Sequence, residues 1–222
     1  MISKTESVPD AILCVPSLRD VHILTVKSLL DAYAAGQYEV LFHYNDAIMS
    51  RTRARIVTRF LTEYPEVQTM VFVDSDMVFE AKALGELVRL SKMFDRSIIG
   101  GVYPTRGEGK TTVNLLAHSS IMLGPDRKPE RVRSIGTGFM AIPRQVLISL
   151  NETVDEVTKN TDIPYHQLFN HIMEDGAELA EDTSFCRRAE AAGFTIYAMT
   201  NHQVGHIGEY TFRISPGTRL EG

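Results

Sequence analysis

Apolar runs alternate with helically spaced apolar positions through the first half of the chain. Residues 11–15 predict a strand that ends at Pro16-Ser17. From His22 onward, Ile23, Val26, Leu29, Leu30 and Tyr33 recur at helical spacing until Gly36 stops the helix. Residues 38–44 predict a second strand and residues 49–64 a second helix, with Ile56, Val57, Phe60 and Leu61 on one face. The short continuous apolar run TMVFV, residues 69–73, predicts a strand covered on both faces. A third helix carries Leu84, Leu87, Val88 and Ser91, and residues 97–102 predict a fourth strand.

Units of this kind predict an α/β fold, a mostly parallel sheet flanked by helices in a single domain. The second half is less regular. Residues 111–117 and 120–123 predict a hairpin or edge pair, and residues 135–142 contain Gly136-Thr137-Gly138. A helix is expected over 144–150, a polar stretch over 151–162, a helix over 183–192 ending at Gly193, and a last strand over 195–199. The expected division is a nucleotide-binding half over about 10–105, an acceptor-facing half over about 106–212 and a flexible tail over 213–222.

Length and composition narrow the class. At 222 residues the chain suits one substantial core, and 44% hydrophobic with 23% charged residues is ordinary for a globular protein. MISKTESVPD lacks the apolar core of a signal peptide, and no apolar run long enough for a membrane span occurs. Cys14 and Cys186 both sit on apolar faces and read as packing residues in a reducing compartment. A cytoplasmic location is expected, or the host cytoplasm for a viral chain. The net charge of −5 argues against general affinity for nucleic acid. It also means that a bound diphosphate needs local positive charge, from a metal or placed arginines.

In parallel sheets, ligands bind beyond the carboxyl ends of the strands. The segments leaving those ends are Pro16-Ser17 with Arg19 close by, Asn45-Asp46, and Asp74-Ser75-Asp76. Two carboxylates at i and i+2 past a buried strand point to the same side and repel each other unless a cation intervenes. Hard divalent ions such as Mn²⁺ or Mg²⁺ prefer oxygen ligands shared with substrate phosphates. His206, flanked by Gly205 and Gly208 near the end of the chain, is a third ligand of suitable chemistry. Glu181-Asp182 precedes an apolar helical face, where Asp182 caps the helix, accepts a proton from an attacking hydroxyl, or does both. Of four arginines on the second helix, Arg51, Arg55 and Arg59 share a face opposite the apolar one and read as solvated. Arg53 falls on the apolar side, so it should turn toward the strand ends and meet a phosphate, a base or a buried carboxylate.

Taken together, these segments resemble a glycosyltransferase of the GT-A type, in the compact form found in phages and large viruses. The resemblance runs from ILCVPS to HIGEYTF. MSRTRARIVTRFL is similar to the family's arginine-bearing helix, with Arg53 at the arginine position and Ala54 where the family usually has Asn. MVFVDSDMVF resembles the DxD strand, which implies Asp76 on the metal and Asp74 on metal or ribose, with Ser75 between them. IGTGFMAIPRQVL resembles the segment lining the sugar and acceptor pocket, which implicates Thr137, Gly138 and Phe139. ELAEDTSFCRRAEAAGF and VGHIGEYTF resemble the acidic helix and metal-histidine ending, implying Asp182 as base beside Glu181 and His206 as ligand. The implied reaction moves a sugar from a nucleoside-diphosphate sugar, UDP-sugar by class, to a hydroxyl acceptor.

Two readings compete. DSDMV also fits the DxDx(T/V) pattern of haloacid dehalogenase-type phosphatases, but that motif normally follows the first strand and here follows the third. A sugar nucleotidyltransferase needs a glycine-rich basic loop after the first strand, and VPSLR is not one. A sugar-nucleotide-binding module without turnover is the non-enzymatic alternative.

Overall fold

The computed structural model describes residues 7–106, 110–208, 211–214 and 216–221. The first half alternates as the pattern predicts: β1 (Ala11–Ser17), α1 (Ile23–Ala35), β2 (Tyr38–Tyr44), α2 (Met49–Glu63), β3 (Thr69–Val73), the short β4 (Met77–Phe79), α3 (Ala81–Met93) and β5 (Ser97–Gly101). The second half is built from short pieces: β6 (Val113–Asn114), β7 (Ser120–Met122), β8 (Glu130–Arg131), β9 (Ser134–Ile135), β10 (Phe139–Pro143), α4 (Arg144–Asn151), β11 (Glu156–Val157) and β12 (Tyr165–His166). It closes with β13 (Met173–Glu174), β14 (Ala177–Glu178), α5 (Glu181–Ala191), β15 (Thr195–Met199), β16 (Val204–Ile207), β17 (Thr211–Phe212) and β18 (Arg219–Glu221).

Seven strands form the central sheet in the order β2-β1-β3-β10-β5-β15-β8. β1 pairs in parallel with β2 and β3, and β15 with β5. β10 is antiparallel to both β3 and β5, so those two share a direction, and the main strands present their carboxyl ends on one edge. β1, β3, β5 and β10 are buried along their whole length, which explains their unbroken apolar runs. One core lies on each side of the sheet: Phe60, Phe72, Phe169 and Phe185 on one, and Leu13, Leu84, Leu87 and Phe139 on the other. Phe169 stacks on Phe185 at 4.5 Å and meets Phe72 edge-on at 5.7 Å. Cys14 and Cys186 are free and buried in the core.

The irregular half departs from expectation. Residues 111–117 and 120–123 do not pair with each other: β6 pairs with β9 and β7 with β18. Strands of two or three residues carry too little alternation to reveal a partner. The segment read as a tail thus contains a strand on β7. The arginine face of α2 is not open to water either. Residues around β12 fold back over it, so Arg55 is only 13% exposed, ion-paired with Asp46 and Asp162 and lying over the Tyr165 ring. Arg51 joins it on Asp46, and Arg59 pairs with Glu63.

The far end of α2 has no basic residue in its last turn. Arg144, the first residue of α4, donates instead to the carbonyls of Phe60, Leu61, Tyr64 and Val67, with its guanidinium over the Phe60 ring. A cation there satisfies orphan carbonyls and the helix dipole together. Arg144→Ala should lower stability by about 2 kcal/mol in a denaturant titration, because the Leu61 and Val67 carbonyls lose their donor while those of Phe60 and Tyr64 keep a backbone amide.

Candidate active site

β3 ends at Val73, and the chain turns sharply through Asp74-Ser75-Asp76 into β4. Three contacts hold that turn. The Asp74 amide donates to the Gly138 carbonyl at 2.9 Å, which ties the turn to the segment entering β10. The Ser75 carbonyl accepts from the His22 amide at 2.8 Å and from Thr25 Oγ1 at 3.1 Å, at the start of α1. The Ile207 amide donates to the Asp76 carbonyl at 2.8 Å. β4 then pairs antiparallel with β16, which sets His206 opposite Met77 and therefore beside Asp76. A histidine 130 positions later in the chain reaches the turn by a two-strand ribbon.

Asp74 and Asp76 have different partners. Arg53, at 2% side-chain exposure, donates from Nη2 to Asp74 Oδ2 at 2.9 Å. Its Nη1 lies 2.9 Å from Oδ1 without the alignment of a hydrogen bond, so Oδ1 is a buried carboxylate oxygen with a neighbouring charge but no hydrogen bond. Burial works against the Arg53 charge, and Asp74 more than offsets it, leaving the guanidinium firmly protonated. The helical angle that put Arg53 on the apolar side of α2 pointed to this carboxylate.

Asp76 faces His206 and Arg106. His206 Nε2 lies 3.3 Å from Asp76 Oδ2, while its Nδ1 lies 3.0 Å from the Pro104 carbonyl. A carbonyl only accepts, so Nδ1 carries a hydrogen and the neutral ring turns the lone pair of Nε2 toward the carboxylate. Two lone pairs at that distance repel unless a proton or a cation lies between them. Hydrogen bonding to Asp76 accordingly raises the His206 pKa; burial opposes ionisation of Asp76, yet His206 and Arg106 together hold its pKa down.

These donors fit a divalent ion. A carboxylate and a neutral imidazole whose other nitrogen is held by a backbone carbonyl form a standard half-shell, which phosphate oxygens and water complete. Among the described residues, no three or more His, Cys, Asp or Glu side chains gather in a metal-binding group. Asp76 and His206 are the two side chains of the turn that could hold such an ion, and Asp74 is turned toward Arg53.

Gly138 packs against the same turn. Its amide donates to Tyr103 Oη at 2.8 Å, and a Cβ there would stand 2.7 Å from that oxygen and 3.1 Å from Asp74 Oδ2. Tyr103 also meets the His206 ring edge-on at 5.6 Å, and burial, then Asp74, raise its pKa. Gly138→Ala should displace Tyr103 and Asp74 together, costing roughly 1–3 kcal/mol in thermal unfolding as overpacking does. Thr137 is 2% exposed, and Phe139 is fully buried against Phe79 at 4.7 Å. At this strand end the recorded contacts to the turn come from Gly138's backbone.

Glu181 and Asp182 open α5. The helix begins two positions before the expected start, Ala180 occupies the N-cap, and no side chain caps it. Asp182 is therefore a first-turn residue rather than the cap, and its Oδ1 accepts from the Thr183 amide at 2.6 Å. Burial, followed by the neighbouring Glu181 charge, raises the Asp182 pKa. Arg53 acts on Asp182, and Glu181 acts on Arg53, so the acidic pair and the DSD turn share one electrostatic environment.

Other sequence-derived residues lie along the same sheet edge. Pro16 and Ser17 close β1, and Ser17 Oγ donates to the Asp20 carbonyl at 2.8 Å. Arg19 and Asn45 are exposed; Asn45 takes φ 65°, a left-handed turn conformation that asparagine tolerates, and donates its amide to Leu18. Arg106 and Tyr103 were missed by sequence reasoning. Both follow β5, whose carboxyl end lies on the ligand-binding edge, and Arg106 stands in the glycine-rich basic run TRGEGK. Beside the start of α5 is a polar groove of about 840 Å³, lined by Asn114, Arg133, Glu174, Ala180, Thr183 and Arg187 among others.

No family model and no curated protein matches the chain. Its fold does recur among solved structures. A197 from STIV aligns over 95% of this chain and 93% of its own, at TM-score 0.61 and 16% identity. The fold is GT-A-like. GalNAc-T7, solved with UDP, GalNAc and Mn²⁺, aligns over 91% of this chain at TM-score 0.53 and 13% identity. This chain spans 44% of the GalNAc-T7 chain. In a GT-A-like sheet the DSD turn falls at the carboxyl end of β3, beside the antiparallel β10. No described helix is long and apolar enough to cross a membrane.

Proposed function

We propose that the protein is a metal-dependent glycosyltransferase that moves a sugar from a nucleoside-diphosphate sugar, a UDP-sugar foremost, to a hydroxyl acceptor. The observation that carries this reading is the Asp76–His206 pair, a carboxylate oxygen and an imidazole nitrogen 3.3 Å apart at the strand edge of a GT-A-like sheet. GalNAc-T7, which shares the fold, was solved with UDP and Mn²⁺ and supports the choice of donor and ion.

Asp76 and His206 would hold Mn²⁺ or Mg²⁺, which supplies positive charge to the diphosphate as it leaves. Arg53 fixes Asp74, a quarter of whose side chain is exposed, and the carboxylate would accept from a ribose hydroxyl. Pro16, Ser17, Arg19 and Asn45 border the nucleotide side, and Thr137, Gly138 and Phe139 form the floor on the sugar side. The half before about residue 105 serves the nucleotide, and the half after it adds His206 and faces the sugar and the acceptor. The acceptor enters by the groove beside α5. Asp182, with Glu181 next to it, takes the proton of the attacking hydroxyl as the bond from sugar to diphosphate breaks. Its raised pKa brings the base nearer to the pH at which proton transfer is efficient.

The test is a panel of sugar nucleotides incubated with Mn²⁺, with products resolved by chromatography. Release of a nucleoside diphosphate is expected for one donor. Free phosphate from simple phosphate esters, with no nucleoside diphosphate, would instead favour a phosphatase using Asp74 and Asp76. Tight donor binding without any turnover would reduce the protein to a binding module.

A further inference from the structure

Asp76 Oδ2 already has two partners. Arg106 Nη2 donates to it, and His206 Nε2 lies 3.3 Å from the same oxygen. A divalent ion seated on this oxygen beside His206 would compete with Arg106 for it. His206 is held by the Pro104 carbonyl and by the pairing of β16 with β4. Arg106 is 65% exposed, and its recorded ion pair is the one with Asp76, so it is the group that yields.

Charge balance says where Arg106 goes. Asp74 and Asp76 carry two negative charges, and Arg53 and Arg106 neutralise them. A divalent ion and the diphosphate of a sugar nucleotide add equal and opposite charge. Counted over the turn alone, charge stays balanced when Arg106 remains there, and the incoming diphosphate is a strong acceptor for a guanidinium that has given up its carboxylate. We propose that Arg106 is a movable second cation of the donor site: it neutralises Asp76 before the metal binds, yields it to the metal, and then pairs with the diphosphate. This rests on the metal-dependent reading above.

The consequence is a change of sign that a merely structural arginine would not produce. Titrated with MnCl₂ alone in a calorimeter, Arg106→Ala should bind Mn²⁺ about two- to five-fold more tightly than the wild type, the factor an exposed ion pair commands. With Mn²⁺ saturating and pyrophosphate as the probe, the same variant should bind about ten-fold more weakly, as expected for a lost charge-assisted contact. Equal or weaker Mn²⁺ affinity in Arg106→Ala overturns the competition, and unchanged pyrophosphate affinity overturns the phosphate role. If the wild type and Arg106→Ala both fail to bind Mn²⁺, the metal-dependent reading falls and this inference with it. Wild-type Mn²⁺ binding that is lost in Asp76→Ala, with no gain in Arg106→Ala, removes this inference alone.

Discussion

Asp182→Asn lowers turnover about 10²- to 10⁴-fold, the contribution of a positioned general base, and leaves donor affinity close to the wild-type value. The same substitution should not destabilise the fold. Burial and the adjacent Glu181 raise the Asp182 pKa in the native state, so the ionised form is the one that folding disfavours. For a carboxylate raised in this way, the stability contribution is full below the unfolded-state pKa and is lost as pH rises through the folded one. Ionising Asp182 in the folded protein places charge in a partly buried position, and asparagine removes that cost. The melting temperature of Asp182→Asn at pH 7 is expected to match or exceed the wild type. The acidic limb of the wild-type pH–rate profile should lie above the ordinary aspartate value, because the base must lose its proton to act. A variant that loses activity and also melts earlier would mark Asp182 as a structural residue.

Arg53→Met has the largest expected effect on stability. Arg53 is buried and paired with Asp74, so removing it leaves a largely buried carboxylate without its counter-charge. The cost is about 3 kcal/mol, the low end for breaking a buried pair because Asp74 keeps 25% exposure. In a domain of this size that lowers the melting temperature by roughly 6–12 °C. Arg53→Met combined with Asp74→Asn should recover most of the loss, since the stranded charge has gone. Both variants lose donor binding. Stability restored without binding is the signature expected of a pair that serves fold and site together.

The first half was legible because its elements are long. The helical angle of Arg53, the position of TMVFV and the strand ends at Ser17 and Tyr44 follow from apolar patterns over five to fifteen residues. The gathering of Asp76 with His206 followed from the family resemblance, and its physical cause, the pairing of β4 with β16, rests on strands of three and four residues. Such strands are set by tertiary contacts rather than by their own alternation. The arginine face of α2 was misread for a similar reason: polarity marked it as solvated, yet a distant segment covers it and adds Asp162 to Asp46 as a carboxylate partner of Arg55. The cap assigned to Asp182 failed by two residues because a helix boundary depends on backbone geometry that Glu-Asp-Thr-Ser leaves open. Arg106 escaped notice because its partner Asp76 lies thirty positions away and no pattern in TRGEGK names it.

The central claim is that Asp76 helps hold a divalent ion that binds a sugar nucleotide at the end of β3. Thermal unfolding of the wild type and Asp76→Ala, with and without Mn²⁺, across a panel of sugar nucleotides tests it most directly. One sugar nucleotide is expected to raise the wild-type melting temperature only when Mn²⁺ is present, and Asp76→Ala to show no such rise. A panel in which no sugar nucleotide stabilises the wild type more than Asp76→Ala would contradict it.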